Sequence, residues 1–317
     1  MTDVFVPGLV AVIVFYVAIL AIGIWAAWKK RKQPGEDDHW NEFSMVGRRD
    51  IGVFVGTFTM TASLVGGVYI NGIAEFTYTP GFGLIWLQGW FGFVFVLVIG
   101  GIFYAKKMRE KGYATMLDPL QRKLGNKMGA LLYIPAFMGD LFWTASVLIA
   151  LGGTLSVVIG LDLVIAIIIS AFIAVLYTLL GGLYSVAYTD VVQISFIFVG
   201  LWIATGFAFA NPAVTDIRTT GPGGWYGSFT EDTIGSWIDT LLLFLCGSIP
   251  WQVYFQRVLS AESPRKAQIV SCFSAVVAFI LGIPPMLIGA IAASTDWNTT
   301  AYEGDPLVNG QGSIIIE

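Results

Sequence analysis

The stretch Leu241–Val258 contains the residues whose types and spacing are best suited to holding a small cation. It begins as an apolar run, is interrupted by Gly247, Ser248 and Pro250, and carries Trp251 directly after the interruption. Proline ends or kinks a helix because it lacks an N–H and clashes with the preceding turn. Inside a membrane, broken backbone is tolerated only where it is buried in protein or lines a cavity. The stretch therefore predicts either a cation site beside a tryptophan or a proline kink packed between helices.

Two acidic residues within apolar runs are further candidates, because a carboxylate is costly there. Asp140 precedes Trp143 by three positions, so both side chains share one face of a helix. Asp239 lies about three helical turns before Trp251. For Asp140, a substrate or ion role competes with a structural hydrogen bond to a neighbouring helix. For Asp239, the alternative is an interfacial charge in water.

Aromatic residues form a third pattern. Trp86, Trp90 and Phe93 are spaced as i, i+4 and i+7 and predict one stripe along a helix. Such a stripe is typical of packing between helices. The functional alternative is an aromatic cage for a quaternary ammonium, which has no N–H to donate and is held by cation–π contacts.

The composition predicts an all-α polytopic membrane protein. The chain is 56% hydrophobic and 12% charged, whereas soluble domains are about 25% charged. Its two cysteines lie in apolar runs and its single histidine, His39, lies in a polar stretch, so no metal cluster or nucleophile motif is present in the sequence. Neither an enzyme nor a nucleic-acid-binding protein is predicted. The expected surroundings are a lipid bilayer.

The apolar runs predict about eight transmembrane helices, each of ~20 residues or more. They cover residues 8–28, 51–77, 82–104, 128–158, 162–181, 189–210, 236–257 and 268–293. Lysine and arginine favour the cytoplasmic side. With the N-terminus outside, all but one of the 17 basic residues fall on the inside, Arg257 among them, and only Arg218 falls outside. The same topology places the glycosylation sequon at Asn298 outside.

Span two contains a second interruption, with Gly56, Gly66, Gly67 and Gly72 between hydroxyl side chains. Such residues also let helices pack closely, which is the alternative. Spans two and seven are five spans apart with opposite orientation, and interrupted helices at matching places in inverted halves indicate a secondary transporter's midplane site.

We expect one membrane domain, 1–317. It would comprise an extra N-terminal helix (1–30), a first five-helix repeat (50–210), the start of a second repeat (236–295) and an outside tail (296–317). The second repeat is incomplete by this count, so a fragment, a truncated isoform or an incomplete gene model is expected.

The most specific pattern is GGLYSVAYTDVVQ, residues 181–193. From the residues alone it is a cytoplasmic connector whose glycines end span five and whose Thr189-Asp190 pair begins span six. The segment also resembles the signature of the sodium:solute symporter family. Further segments resemble that family's choline-transporting members, and the similarity covers nearly all of residues 5–300; the segments are 12–15, 23–28, 56–71, 111–119, 249–260 and 288–298. The resemblance implies a LeuT-type inverted-repeat transporter fold behind one extra N-terminal helix.

The resemblance also implies an aromatic cage around choline. Trp143 and Trp251 match two cage positions, whereas Leu64 stands where the family's choline transporters have tryptophan and Phe93 where they have tyrosine. Losing one or two good cation–π contacts would weaken choline binding by roughly 10- to 100-fold, at ~1.4 kcal/mol per factor of ten. The two acidic residues in the apolar runs, Asp140 and Asp239, would add negative potential.

Sodium is implied as the coupling ion, and the resemblance leaves chloride open. The sodium site would use backbone carbonyls near Thr57 and Met60, together with hydroxyl groups of a helix that lies beyond Glu317. The chain as it stands is therefore expected not to complete that ion site.

Three functional hypotheses follow. The first is sodium-dependent uptake of choline across the plasma membrane by alternating access, serving neurotransmitter biosynthesis and reaching synaptic vesicles if the cell is neuronal. The second, motivated by Leu64, is a diverged symporter for another small organic cation or zwitterion. The third is a truncated, non-transporting regulatory subunit that pairs with a full-length transporter. Homo-oligomer formation is left open.

Overall fold

The computed structural model describes residues 6–29, 45–218, 224–228 and 230–300. The stretch that holds His39 and the residues after 300 lie outside these ranges. The helices are α1 Val6–Lys29, α2 Val53–Leu64, α3 Gly67–Tyr78, α4 Gln88–Ile99, α5 Lys106–Glu110, α6 Asp118–Leu124, α7 Asn126–Ile159, α8 Leu163–Phe209, α9 Glu231–Gly247, α10 Gln252–Ser260 and α11 Pro264–Ala293. A π-helical segment, Gly100–Ala105, joins α4 to α5.

The described residues contain six helices that are long and apolar enough to cross a membrane, and up to seven if the bent pair α2 and α3 is one span. The predicted span 162–181 contains a shorter apolar helix, Leu163–Leu176. The all-helical architecture is therefore confirmed. The count of eight spans stays a prediction.

The structure contains both of the interruptions that the sequence indicates. Helices α2 and α3 meet at 55°, and between them Gly66 has an extended conformation and its N–H bonds to the carbonyl of Leu64 at 3.0 Å. Helix α9 ends at Gly247 and α10 begins only at Gln252. At both interruptions, main-chain N–H and C=O groups therefore lack the hydrogen bonds of a regular helix.

The prediction that residues 181–193 form a connector is wrong for most of that segment. Helix α8 continues to Phe209 and is redirected at Gly182 alone, where φ is 53° and ψ is −149°. Glycine adopts this backbone conformation without a Cβ clash. One residue therefore suffices to turn the chain, and Thr189-Asp190 lies inside a helix instead of beginning one.

Helix α11 is the centre of the packing, where it contacts α2, α3 and α4. A separate contact ties together the start of α2 and the end of α10. There the Ile51 N–H bonds to the carbonyl of Ser260 at 3.2 Å, and the Glu262 N–H bonds to the carbonyl of Ile51 at 3.2 Å. Arg109 reinforces this parallel bridge by donating from Nε to the carbonyl of Ala261 at 2.7 Å.

Replacing Gly289 by alanine should destabilise the protein, because α3 and α11 approach closely there. A Cβ at Gly289 would lie 2.4 Å from the Ala74 carbonyl oxygen and 2.7 Å from the Thr77 Cβ. Overpacking of this kind costs roughly 1–3 kcal/mol. Gly200→Ala is the matched control, because that helical position has nothing within 4 Å of the added Cβ. Thermal unfolding in detergent should show a lower midpoint only for Gly289→Ala; equal midpoints for the two variants would contradict the close contact.

Candidate functional site

A cavity of about 560 Å³ opens between α4, the α6 region, α7 and the break between α9 and α10. Its wall is mostly apolar and includes one acidic side chain. The lining residues are Phe93, Met116, Leu117, Leu120, Leu132, Pro135, Ala136, Gly139, Asp140, Trp143, Leu243, Phe244, Gly247, Ser248, Pro250, Trp251 and Gln252.

Three of the predicted cage residues meet in this wall. The ring centroids of Trp143 and Trp251 are 5.5 Å apart with planes at 71°. The centroid of the Phe93 ring lies 6.2 Å from that of Trp143, in a nearly edge-to-face arrangement, and 6.4 Å from that of Trp251. These separations fall in the range in which aromatic side chains pack favourably. Helices α4 and α7 and the break after α9 each contribute one ring.

The break holds Trp251 in place. Trp251 has an extended conformation (φ −108°, ψ 120°) and precedes the first residue of α10. The next side chain, Gln252, accepts a hydrogen bond through Oε1 from the Met116 N–H at 2.9 Å. The interruption therefore lets the indole turn towards α7, and the loop before α6 fixes the first turn of α10.

Asp140 supplies the negative charge of the cavity. Its carboxylate is partly exposed, and the Trp251 side chain lies close enough to interact with it. Asp140 and Trp143 share a face of α7, as their spacing predicts. The structure thus brings a carboxylate and three aromatic rings into one cavity.

The structure places two other predicted residues away from this wall. Leu64 is buried in the hydrophobic core at the end of α2. Asp239 is exposed on α9. Neither residue lines the cavity.

The three residues of the predicted aromatic stripe do not share one environment in the structure. Trp86 lies in a short 3-10 turn, Leu84–Trp86, before α4, and its indole N–H bonds to the carbonyl of Ser228 at 3.1 Å. Trp90 is buried and stacks against Phe279 of α11. Only Phe93 reaches the cavity, so the packing interpretation is correct for the two tryptophans.

Thr57 and Met60, the predicted sodium contacts, are buried in α2. The Thr57 carbonyl accepts hydrogen bonds from the Thr61 hydroxyl at 2.8 Å and from the Ser274 hydroxyl of α11 at 3.1 Å. The Thr57 hydroxyl is buried, and no hydrogen-bond partner for it lies within the part of the chain that the structure describes. A buried donor and acceptor of this kind costs about 1–3 kcal/mol when it stays unsatisfied.

A buried polar cluster was not predicted as such. The Thr59 hydroxyl donates to the Asp190 carboxylate, and the positive charge of Arg257 lies close enough to interact with that carboxylate. Arg257 also donates to Gln256. Arg257, which the topology prediction counts among the inside basic residues, is buried in α10 and so belongs to this cluster; the side of the membrane on which it lies stays a prediction. The signal that could have found the cluster was the cost of ionisable side chains near the ends of spans.

The cavity wall also contains an aromatic residue that the sequence does not single out. Phe244 lines the cavity, with its ring centroid 5.4 Å from that of Phe93. Its apolar surroundings in the sequence gave no hint of this, because a phenylalanine in a spanning helix is ordinarily a lipid or packing contact.

The residue of the predicted glycosylation sequon, Asn298, does not line the cavity. It is exposed in the short helix Trp297–Thr299, where its side-chain amide is 3.3 Å from the Asp296 carboxylate.

The chain matches the family model of the sodium:solute symporter family over residues 44–297. This protein therefore belongs to the sodium:solute symporter family. It is 53% identical over 317 residues to the human high affinity choline transporter 1, covering 98% of this chain and 54% of that protein. It is 54% identical over 304 residues to the choline transporter of Torpedo marmorata, covering 94% of this chain and 52% of that protein. The chain thus spans about half the length of the curated relatives it matches.

Two more distant proteins are also similar, one in sequence and one in fold. Rabbit sodium/glucose cotransporter 1 is 28% identical over 258 residues, which are 78% of this chain and 34% of that protein. The solved structure of a substrate-bound, outward-open Na+-coupled sialic acid symporter superposes with a TM-score of 0.77 at 17% identity, covering 98% of this chain and 64% of that one. The apolar helices and the family together define an integral membrane protein, and the named relatives are transporters.

Proposed function

We propose that this chain takes part in sodium-dependent uptake of choline across the plasma membrane by alternating access. The observation that carries the proposal is the meeting of Phe93, Trp143 and Trp251 in one cavity beside Asp140. A quaternary ammonium has no N–H, so protein carbonyls and hydroxyls cannot accept a hydrogen bond from it. Aromatic faces attract it instead, at ~0.5–2 kcal/mol per ring.

The other features of the cavity suit the same cargo. Methyl groups of a trimethylammonium are compatible with an apolar wall, and the Asp140 carboxylate provides long-range attraction for a positive charge. Asp239 is proposed as a second, outer source of negative potential, since it is exposed on α9. Leu64 has no part in the wall of this cavity, so the rings that are present must provide the cation–π contacts.

The two broken helices support an inverted-repeat arrangement of the LeuT type. We assign residues 50–210 to the first repeat, 236–295 to the start of the second and 1–30 to an extra helix, with the N-terminus and Asn298 outside. In this arrangement α2 with α3 corresponds to α9 with α10, and each pair is interrupted. Interrupted helices at corresponding positions are typical of transporters whose site lies at the midplane.

Sodium coupling is proposed at α2, where Thr57 has a buried hydroxyl without a hydrogen-bond partner in the described part of the chain. The Ser274 hydroxyl of α11 already contacts the Thr57 carbonyl. Hydroxyl and carbonyl oxygens are hard donors of the kind that coordinate hard cations. Met60 is proposed to contribute only its main-chain carbonyl, because its side chain is apolar.

A second candidate keeps the transport but changes the cargo to another small organic cation or zwitterion. The observation that favours it is the cavity wall itself, since Phe93 has no hydroxyl and Leu64 adds no ring there. A wall with fewer polar groups selects less strongly among quaternary ammonium compounds.

The test is uptake of labelled choline, measured in sodium and in lithium, by cells that express this chain alone or within a full-length transporter. We expect uptake only in sodium, because the ion gradient drives the transport. Competition with unlabelled choline, betaine and tetramethylammonium then separates the two candidates. Uptake that betaine suppresses better than choline does would favour the second candidate, and uptake that is equal in lithium and sodium would overturn sodium coupling.

A further inference from the structure

We propose that Phe244 is a specificity-determining residue of the cavity, where it provides a fourth aromatic ring that favours a quaternary ammonium over a neutral group of the same shape. This inference rests on the proposed function, because it assigns a role within the same site. It concerns a residue in the last turn of α9, seven positions before Trp251 in the sequence.

The position of the Phe244 ring in the wall supports the proposal. Phe244 lines the cavity, and its ring centroid is 5.4 Å from that of Phe93 with planes at 68°. Phe93 in turn contacts both Trp143 and Trp251. The four rings therefore form one continuous aromatic surface that extends from α7 across α4 to α9.

Two glycines of α4 make room for this ring. A Cβ at Gly92 would lie 2.6 Å from the Phe244 Cβ, and a Cβ at Gly89 would lie 3.1 Å from its ring. The two positions are three residues apart, so they lie on the same face of α4. Because neither glycine has a side chain, Phe244 can lie close against the backbone of α4. This packing restricts the conformation of the Phe244 ring before any ligand binds.

A fixed ring has a distinct effect on ligand choice. Burial of methyl groups against an apolar wall stabilises a trimethylammonium group and a tert-butyl group to a similar extent. The ring quadrupole attracts only the charged one. Phe244 is thus expected to improve the affinity for choline by about 5- to 10-fold, within the range for one cation–π contact. Its effect on the carbon isostere 3,3-dimethylbutan-1-ol should be less than about 2-fold by the same reasoning.

The experiment measures binding of labelled choline to the purified chain in lipid nanodiscs, with displacement by unlabelled choline and by 3,3-dimethylbutan-1-ol. The variants are Phe244→Leu, which removes the ring, and Phe244→Tyr, which restores one. Phe142→Leu is the control, since that ring is exposed on α7 and does not line the cavity. Thermal unfolding of each variant verifies that it is folded.

We expect Phe244→Leu to weaken choline binding about 5- to 10-fold while it leaves the isostere nearly unchanged, and Phe244→Tyr to recover most of the loss. Equal losses for both ligands, or none for choline, would overturn the assignment of Phe244 and leave the proposed function standing. If the unmodified chain does not bind labelled choline, the proposed function fails, and the inference fails with it.

Discussion

Replacing Trp251 by alanine is expected to abolish most choline binding, with a loss of affinity of roughly 10- to 100-fold. The centroid of the Trp251 ring lies 5.5 Å from that of Trp143 and 6.4 Å from that of Phe93, and the indole also lies beside Asp140. Its removal takes away one π face and also frees the two neighbouring rings to move. The measurement is saturation binding of labelled choline to purified protein.

Trp202→Ala is the control for this prediction. Trp202 is an exposed tryptophan of α8 that does not line the cavity, so its removal should leave choline affinity within about 2-fold. Trp251→Phe should retain part of the affinity because it keeps a smaller ring. An unchanged affinity in Trp251→Ala, in a protein that still unfolds cooperatively, would rule out the break after α9 as the place where the cation binds.

Removing the charge of Arg257 is expected to have the largest effect on stability. Arg257→Leu leaves the buried Asp190 carboxylate without its nearby positive charge. Leaving a buried carboxylate without its nearby positive charge costs up to roughly 3–5 kcal/mol, whereas removing both charges costs less. The double variant Asp190→Asn with Arg257→Leu should therefore be more stable than Arg257→Leu alone. The measurement is the midpoint of thermal unfolding in detergent for the two single variants and the double variant.

A more exposed ion pair gives the comparison for the buried charges of Asp190 and Arg257. Lys266 and Glu262 form an ion pair at i, i+4 with both side chains partly exposed. Such pairs contribute about 0–1 kcal/mol, so Lys266→Met should change the unfolding midpoint little. Strictly additive effects of the Asp190 and Arg257 substitutions would show that the two charges do not interact.

The parts of the site that the sequence predicts are those determined by neighbouring residues. Gly247, Ser248 and Pro250 interrupt the helix wherever it is packed, because their effect on the backbone is local. The pairing of Asp140 with Trp143 follows from helical periodicity alone. The contact between Trp143 and Trp251 could be predicted only from the resemblance to known transporters. That resemblance carries information on tertiary structure, which residue spacing does not contain.

The parts that sequence reasoning missed depend on contacts between distant segments. Asp190 begins no helix, because the chain turns at Gly182 and α8 is already regular at Asp190. Its role depends on Thr59 and Arg257, which are 131 and 67 positions away in the chain. Phe244 gains its place in the wall through Gly89 and Gly92 of another helix. No local pattern reports such a contact.

The parallel bridge between Ile51 and Ala261 has a mechanical consequence. It joins the chain just before the first broken helix to the chain just after the second, through two backbone hydrogen bonds of 3.2 Å each. While both bonds hold, a displacement of the start of α2 must carry the end of α10 with it. The two interrupted helices are therefore mechanically coupled at the ends where α2 begins and α10 ends.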